Sequence, residues 1–385
     1  MRLSRRTIGL LILASGILFA ALFIFRIQNG MADFEVNYKA GRRLWLNETL
    51  YRTVDEHYQF KYSPFSAALY LPLAFLPLPA AKGVWYAIVL FSIAWLLYLS
   101  STLADRSGHQ GFVLALLPGA ILAKFFLREL QLGQINALVT AILVFMTYVL
   151  VKEETGFSAK QEISAGLLWG LAMALKPYAL IFFPYFILKK KWQSLWPGFL
   201  FLALSLFVPT IFYGWSGNTV VLKEWSRSLS RSTPGLLNSQ DNVSLLAFLV
   251  KWTGKQNLSV LLFAVALGCL ALLVFVFIQK GKESSSPLLL DSALLLVLIP
   301  LISPLGWDYT FLSSILAVAL VVKDFDFFPR PAKILLVCNF LVMALSIYDI
   351  LGRRLYAAFM SRSVLTIDFL ILVAALYYLR FQGRR

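Results

Sequence analysis

TIGLLILASGILFAALFIFRI, residues 7–27, decides the fold. No charge interrupts it before Arg26, and its length is close to the ~20 apolar residues that carry a helix across a bilayer core. Two further runs, 258–279 and 364–380, read the same way. Of the 385 residues, 59% are hydrophobic and 14% charged, more apolar surface than a soluble core of this size could bury. Lipid is therefore the expected solvent, and hydropathy predicts an all-α polytopic membrane protein with about a dozen spans.

The net charge of +16 does not point to nucleic acid, because the lysines and arginines sit in short clusters between apolar runs and not along one basic face. Cytoplasmic loops carry excess Lys and Arg, and one topology satisfies that rule at nearly every connection. Arg2, Arg5 and Arg6 put the N-terminus inside, together with Lys189–Lys191, Lys280 with Lys282, Lys323–Lys333 and Arg380–Arg385. Both termini are then cytoplasmic. Ser4-Arg5-Arg6-Thr7 faintly resembles a twin-arginine signal, but no small-residue cleavage site follows and an uncleaved first helix is expected. Cys269 and Cys338 are isolated in apolar spans, and His57 and His109 stand alone in loops, so neither a disulfide framework nor a zinc site is indicated.

Residues 28–62 form a polar, aromatic-rich loop placed outside by this topology. Within it Phe34, Tyr38, Leu44 and Trp45 can share a helical face flanked by Lys39, Arg42 and Arg43, which predicts a helix lying at the interface. The segment 64–80 carries Pro64, Pro72, Pro77 and Pro79 and reads as a buried, broken piece that does not cross. Spans follow at about 83–104, 111–127 and 135–151, and the run 163–188 is interrupted at Lys176-Pro177. A span at about 195–213 leads to a second large loop, 214–243, with an amphipathic piece near 244–256. No repeat is found, so 1–385 is read as one domain, with polar loops near 28–63, 128–136, 214–256 and 303–309.

Five constellations could carry chemistry. Asp33 with Glu35 lies just past the first span, where a carboxylate can accept a proton from a hydroxyl or simply cap a helix. Lys176 is embedded between apolar runs and needs a partner, such as a lipid phosphate, unless it snorkels from a hairpin tip. Gly133-Gln134-Ile135-Asn136 offers amides that could bond a sugar or cap a helix. Arg227 and Arg231, four apart, can grip a phosphate or contact lipid headgroups, in a loop that also holds Asn238, Gln240, Asp241 and Asn242. Ser303-Pro304-Leu305-Gly306-Trp307-Asp308-Tyr309 breaks two spans, with Asp308 between interface aromatics. If 64–80 does not cross, Asp33, Gln134, Lys176, Arg227 and Asp308 all face the extracytoplasmic side.

At these positions the chain resembles glycosyltransferase family 87, membrane enzymes of the C-type superfamily. The resemblance rests on Asp33-Phe34, Tyr38-Lys39-Ala40-Gly41, Leu50-Tyr51, Phe60-Lys61-Tyr62-Ser63-Pro64, Leu71-Pro72-Leu73 and Leu76-Pro77. It continues through Gly133-Gln134-Ile135-Asn136, Gly170-Leu171-Ala172 leading to Lys176-Pro177, Asn242-Val243-Ser244-Leu245, and Ser303-Pro304 with Trp307. It implies a C-type glycosyltransferase fold with about 12 transmembrane helices, a polyprenyl-phosphate sugar donor and a lipid or glycan acceptor among membrane lipids. Asp33 would be the base of an inverting displacement, and Lys176, Arg227, Arg231 and Lys61 would bind the donor phosphate. Glu35, Tyr38, Gln134, Asn136, Asn242 and Asp308 would hold sugar or acceptor. Members often carry His after the Ser-Pro-x-x-Trp turn; here Asp308-Tyr309 stands instead, so a histidine role is in doubt. Mannose is the commoner expectation and arabinofuranose the main alternative. No cofactor or metal is required, although two outer carboxylates leave room for a divalent cation. A transporter or lipid-carrier flippase is the competing class, since it too would use broken helices and a buried lysine. A non-catalytic scaffold would not explain polar groups gathered on one side.

Overall fold

The computed structural model describes residues 14, 16–105, 110–153, 159–279 and 287–382. Arg2, Arg5, Arg6, His109, Lys280, Lys282, Arg384 and Arg385 lie outside the described residues, as does most of the run before Gly16. The described chain is helical with no strand, the arrangement lipid demands because a helix satisfies its own backbone.

Helix α1 (Gly16–Ile27) bends by 81° into α2 (Ala32–Trp45). The amide of Met31, which has a left-handed backbone, bonds the carbonyl of Gln131 at 2.9 Å and fixes where α2 begins. Helix α2 buries Phe34, Tyr38 and Leu44 as its periodicity predicts, but Trp45 is turned outward, one residue on from Leu44 and about 100° round the helix. Its ring packs on Phe75 and Phe212. The proline-rich segment becomes α3 (Pro64–Ala74), capped by Ser63, and a new helix α4 (Leu78–Ala104) starts after Pro77. The 11 residues of α3 rise about 16 Å, half of a bilayer core, so this segment is too short to cross.

Helices α5 (Gly111–Ile121) and α6 (Ala123–Leu132) are bent by 66°, and α7 (Asn136–Glu153) and α8 (Ala159–Leu175) follow. Helix α8 stops because Lys176 precedes a proline and is extended, at φ −142° and ψ 115°. Next come α9 (Pro177–Leu188) and α10 (Trp192–Ser205), which bends into α11 (Thr210–Leu236). The loop expected over 214–243 is thus largely helix. The chain continues through α12 (Leu245–Thr253), α13 (Gln256–Gln279), α14 (Pro287–Ile302) and a 3-10 turn at Asp308–Ser314. It ends with α15 (Ile315–Lys323), α16 (Arg330–Leu345), α17 (Tyr348–Ser361), turned 101° from α16, and α18 (Val364–Phe381).

Among the described residues α4, α13 and α18 are long and apolar enough to cross alone, and up to seven crossings result if each bent pair is one. The dozen expected from hydropathy does not emerge from helix length, because breaks at proline and at polar tips divide the apolar runs. Helices α14 and α15 are buried on nearly every side and form the core with α7. The pair α8 and α10 packs backbone to backbone: a Cβ on Gly166 would lie 2.2 Å from the Ser194 carbonyl, and one on Gly170 would lie 2.6 Å from that of Gly198. Asp291, near the start of α14, is fully buried and ion-paired to Arg380 and, at 3.4 Å, to Lys189. Two basic clusters far apart in sequence therefore meet at one end of the bundle.

Candidate active site

Asp33 sits in the first turn of α2, where the helix dipole favours a carboxylate. Its Oδ2 accepts a 2.7 Å bond from Gln134 Nε2, and Oδ1 takes no hydrogen bond among the described residues. Gln134 reaches it because α6 ends at Gly133 with φ +67°, a left-handed cap that glycine adopts without a Cβ penalty. A Cβ there would also lie 2.7 Å from Phe34. The buried Gln134 amide is fully used: its oxygen accepts from the Tyr62 hydroxyl at 2.9 Å, and Nε2 also points at the Tyr309 hydroxyl at 3.3 Å. A carboxylate on one side and a phenol on the other set which way this amide faces.

Beside it runs a second chain. Lys176 Nζ donates to Asn136 Oδ1 at 2.6 Å, and Asn136 Nδ2 donates to Glu129 Oε2 at 2.8 Å. Glu129 also accepts the Ala137 amide at 2.8 Å, so a buried carboxylate caps the start of α7 while Lys176 balances its charge through one asparagine. The Lys176 ammonium stands 5.1 Å from the Tyr62 ring centre and 5.8 Å from that of Tyr178. Tyr62 thus joins the two chains.

An open cavity of about 530 Å³ adjoins this cluster, lined by Lys61, Arg227 and Arg231 together with Glu56, Glu224 and Ser228. Arg227 and Arg231 lie one turn apart on α11, as their spacing predicts. Lys61 enters from the extended stretch before α3, tied to α11 by the Trp225 indole bonding the Lys61 carbonyl at 3.1 Å. Successive residues of that stretch serve different places: Lys61 faces the cavity and Tyr62 faces Gln134. Burial lowers the pKa of the Lys61 ammonium, and the nearby Asp33 charge offsets this in part. An anion in the cavity would favour its charged form.

The remaining expected residues fall elsewhere. Glu35 pairs with Lys82 at 2.7 Å, and Lys82 also bonds the carbonyls of Gln28 and Gly30, so this carboxylate anchors the α1–α2 bend. The Tyr38 hydroxyl is spent on the Leu76 carbonyl at 2.8 Å. Asn242 is fully buried and staples the 303–307 turn: its amide donates to Pro304, and its oxygen accepts from Gly306 and Ser244. Asp308 accepts the Tyr309 amide and lies among Asp241, Arg128 and Lys124. Its carboxyl is pushed up to about 6, chiefly by burial and then by Asp241. Its neighbour Tyr309, not Asp308, touches Gln134. Lys176 is not among the residues lining the cavity, so the four expected phosphate ligands divide into a cavity trio and one lysine in the cluster.

Residues assigned no role on sequence grounds are Glu129, Tyr62, Tyr178, Tyr309, Glu56, Glu224 and Ser228, although Tyr62 and Tyr309 stand within the segments singled out there. Glu224 had a signal, since it shares a helical face with Arg227 and Arg231 at spacings of three and seven. Glu129 had none beyond being a carboxylate seven residues before Asn136.

An all-helical membrane protein whose polar segments converge on a carboxylate held by an amide, next to a cation-lined cavity, is the class these observations define. Residues 60–304 match the model of glycosyltransferase family 87, and the chain belongs to that family. No curated protein and no solved structure matches it. Asp33 precedes the matched stretch and Asp308 follows it, whereas Gln134, Asn136, Lys176 and the arginines lie within. The Gln134 bond connects the first of these to the family's own segment.

Proposed function

We propose that this glycosyltransferase moves a sugar, mannose before arabinofuranose, from a polyprenyl-phosphate donor to a lipid or glycan acceptor at the extracytoplasmic face, with inversion, on a C-type fold of about twelve crossings. The observation that carries the reading is the 2.7 Å bond from Gln134 to Asp33, which holds one carboxylate oxygen and leaves the other for a substrate hydroxyl. The acceptor hydroxyl gives its proton to Asp33 as its oxygen bonds the anomeric carbon. The bond from that carbon to the phosphate oxygen breaks, and its electron pair leaves with the lipid phosphate. Lys61, Arg227 and Arg231 receive the phosphate in the cavity, and Lys176, over the Tyr62 ring, adds positive charge beside the reacting centre. Side-chain cations carry the charge balance, so the scheme needs no metal or other cofactor.

The sidedness has its own support. Lys189 and Arg380, from clusters that the positive-inside rule assigns to the cytoplasm, meet at Asp291, and none of the cavity or cluster residues belongs to that group. The C-terminus is then cytoplasmic, and the positive-inside rule puts Arg2, Arg5 and Arg6 on the same side.

Vesicles containing the protein, supplied with labelled polyprenyl-phosphate mannose or its arabinofuranose counterpart, test the reading. Transfer of one sugar is expected, with loss of about 10²-fold or more in Asp33→Asn at equal membrane insertion. Full activity of that variant would sink the base assignment, and transfer of neither sugar would sink the donor class.

A further inference from the structure

The cavity is not lined as a plain phosphate site would be. Lys61, Arg227 and Arg231 share it with two carboxylates, Glu56 and Glu224, yet among the described residues none of the two arginines and two glutamates forms a hydrogen bond or ion pair through its side chain. Opposite charges that line one space without closing on each other leave room for a ligand that meets both. Three cations less two carboxylates leave one positive charge, the complement of a singly charged phosphodiester. A carboxylate accepts hydrogen bonds and offers none, so its natural partners in such a ligand are hydroxyls.

Between the two arginines on α11 the cavity wall is the buried Ser228, a small residue that leaves the space open. Glu56 reaches the cavity from a tight turn in which its own backbone stands at φ 47° and ψ −116°.

We propose that Glu56 and Glu224 bind the hydroxyls of the donor's sugar while Lys61, Arg227 and Arg231 hold its phosphate, which makes the two glutamates the residues that select the transferred sugar. This rests on the donor reading above. At 530 Å³ the cavity is of the size that small-ligand sites have. A site built to bond a hydroxyl rejects an analogue that lacks it, because its own polar groups are then left unpaired.

The test compares two ligands on three variants in vesicles: the sugar-bearing polyprenyl phosphate as substrate, and the bare polyprenyl phosphate as competitive inhibitor. Glu56→Gln and Glu224→Gln are each expected to raise the donor KM about tenfold and to leave inhibition by the bare lipid phosphate within about twofold. Arg231→Ala is expected to weaken both ligands together. If Arg231→Ala leaves bare-phosphate inhibition unchanged, the phosphate does not sit here and the phosphate seat of the proposed function is overturned, while the donor class stands on transfer itself. If Arg231→Ala behaves as expected but the glutamate variants weaken both ligands equally, or leave donor KM unchanged, sugar selection by Glu56 and Glu224 is overturned and the phosphate seat stands. The Gln replacements conserve size, and either one alone decides the point if the other fails to insert.

Discussion

Around Asp33 the polar groups are closed upon one another, whereas a few residues away in the cavity they are held apart. Gln134 uses both ends of its amide, Asn136 bridges Lys176 to Glu129, and Tyr62 touches both chains. Arg227, Arg231, Glu56 and Glu224 make no such bonds among the described residues. The first region is preorganised, which suits chemistry that needs one carboxylate in one place. The second is unpaired and open to solvent, which suits a ligand that brings its own charge and hydroxyls. Lys61 and Tyr62, adjacent in the chain, are the hinge between them.

The sharpest way to break this division is Asp33→Asn. It is expected to lower kcat by about 10²- to 10⁴-fold with little change in donor KM, measured by initial rates. A matching rise in KM would move Asp33 into the binding region. Next in size, Gln134→Leu leaves the Tyr62 hydroxyl without its acceptor and Asp33 without its only donor among the described residues. A kcat loss of about 10- to 100-fold is expected from a bond to a charged group. Lys176→Ala should act twice, raising donor KM several-fold and lowering thermal stability by about 1–3 kcal/mol, because the Glu129 carboxylate then lacks its balancing charge. Adding Glu129→Gln to that variant should restore stability but not KM; restoration of neither would show that Asn136 does not couple the two.

The smallest effect concerns pH. Burial lowers the pKa of Lys61, so the empty cavity loses this charge at a lower pH than an ordinary lysine would, while bound phosphate favours the charged form. Donor KM should therefore rise as pH increases on the alkaline side, and Lys61→Arg, which keeps its charge, should flatten the rise. A KM profile of the same shape in both proteins would take Lys61 out of the phosphate seat.

Much of this site was visible as residue types at the right spacing. Arg227 and Arg231 share a helical face because they are four apart, and Lys176 ends α8 because Pro177 follows it. Asn242 was also visible, but its role was not. A buried asparagine that fastens the Pro304–Gly306 turn and one that grips a sugar look identical in a sequence, since both need one donor and one acceptor. The same holds for Glu35 and Tyr38, whose polar atoms are committed to Lys82 and to the Leu76 carbonyl.

Helices α13 and α14 mark the boundary between the two kinds of knowledge. Both are almost wholly apolar, yet α13 is largely exposed toward the lipid and α14 is buried nearly throughout. By itself the sequence determined that this is a helical membrane protein, that 64–80 is broken at its prolines, and which charged groups are worth watching. It could do so because hydropathy, proline geometry and helical spacing act within one segment. Only tertiary structure decided that Gln134 holds Asp33, that Lys176 is balanced by Glu129, and that two glutamates share the cavity with the arginines. Those pairings join residues up to about 175 positions apart, as Glu56 and Arg231 are, and the first two form where packing leaves little water to satisfy the groups otherwise.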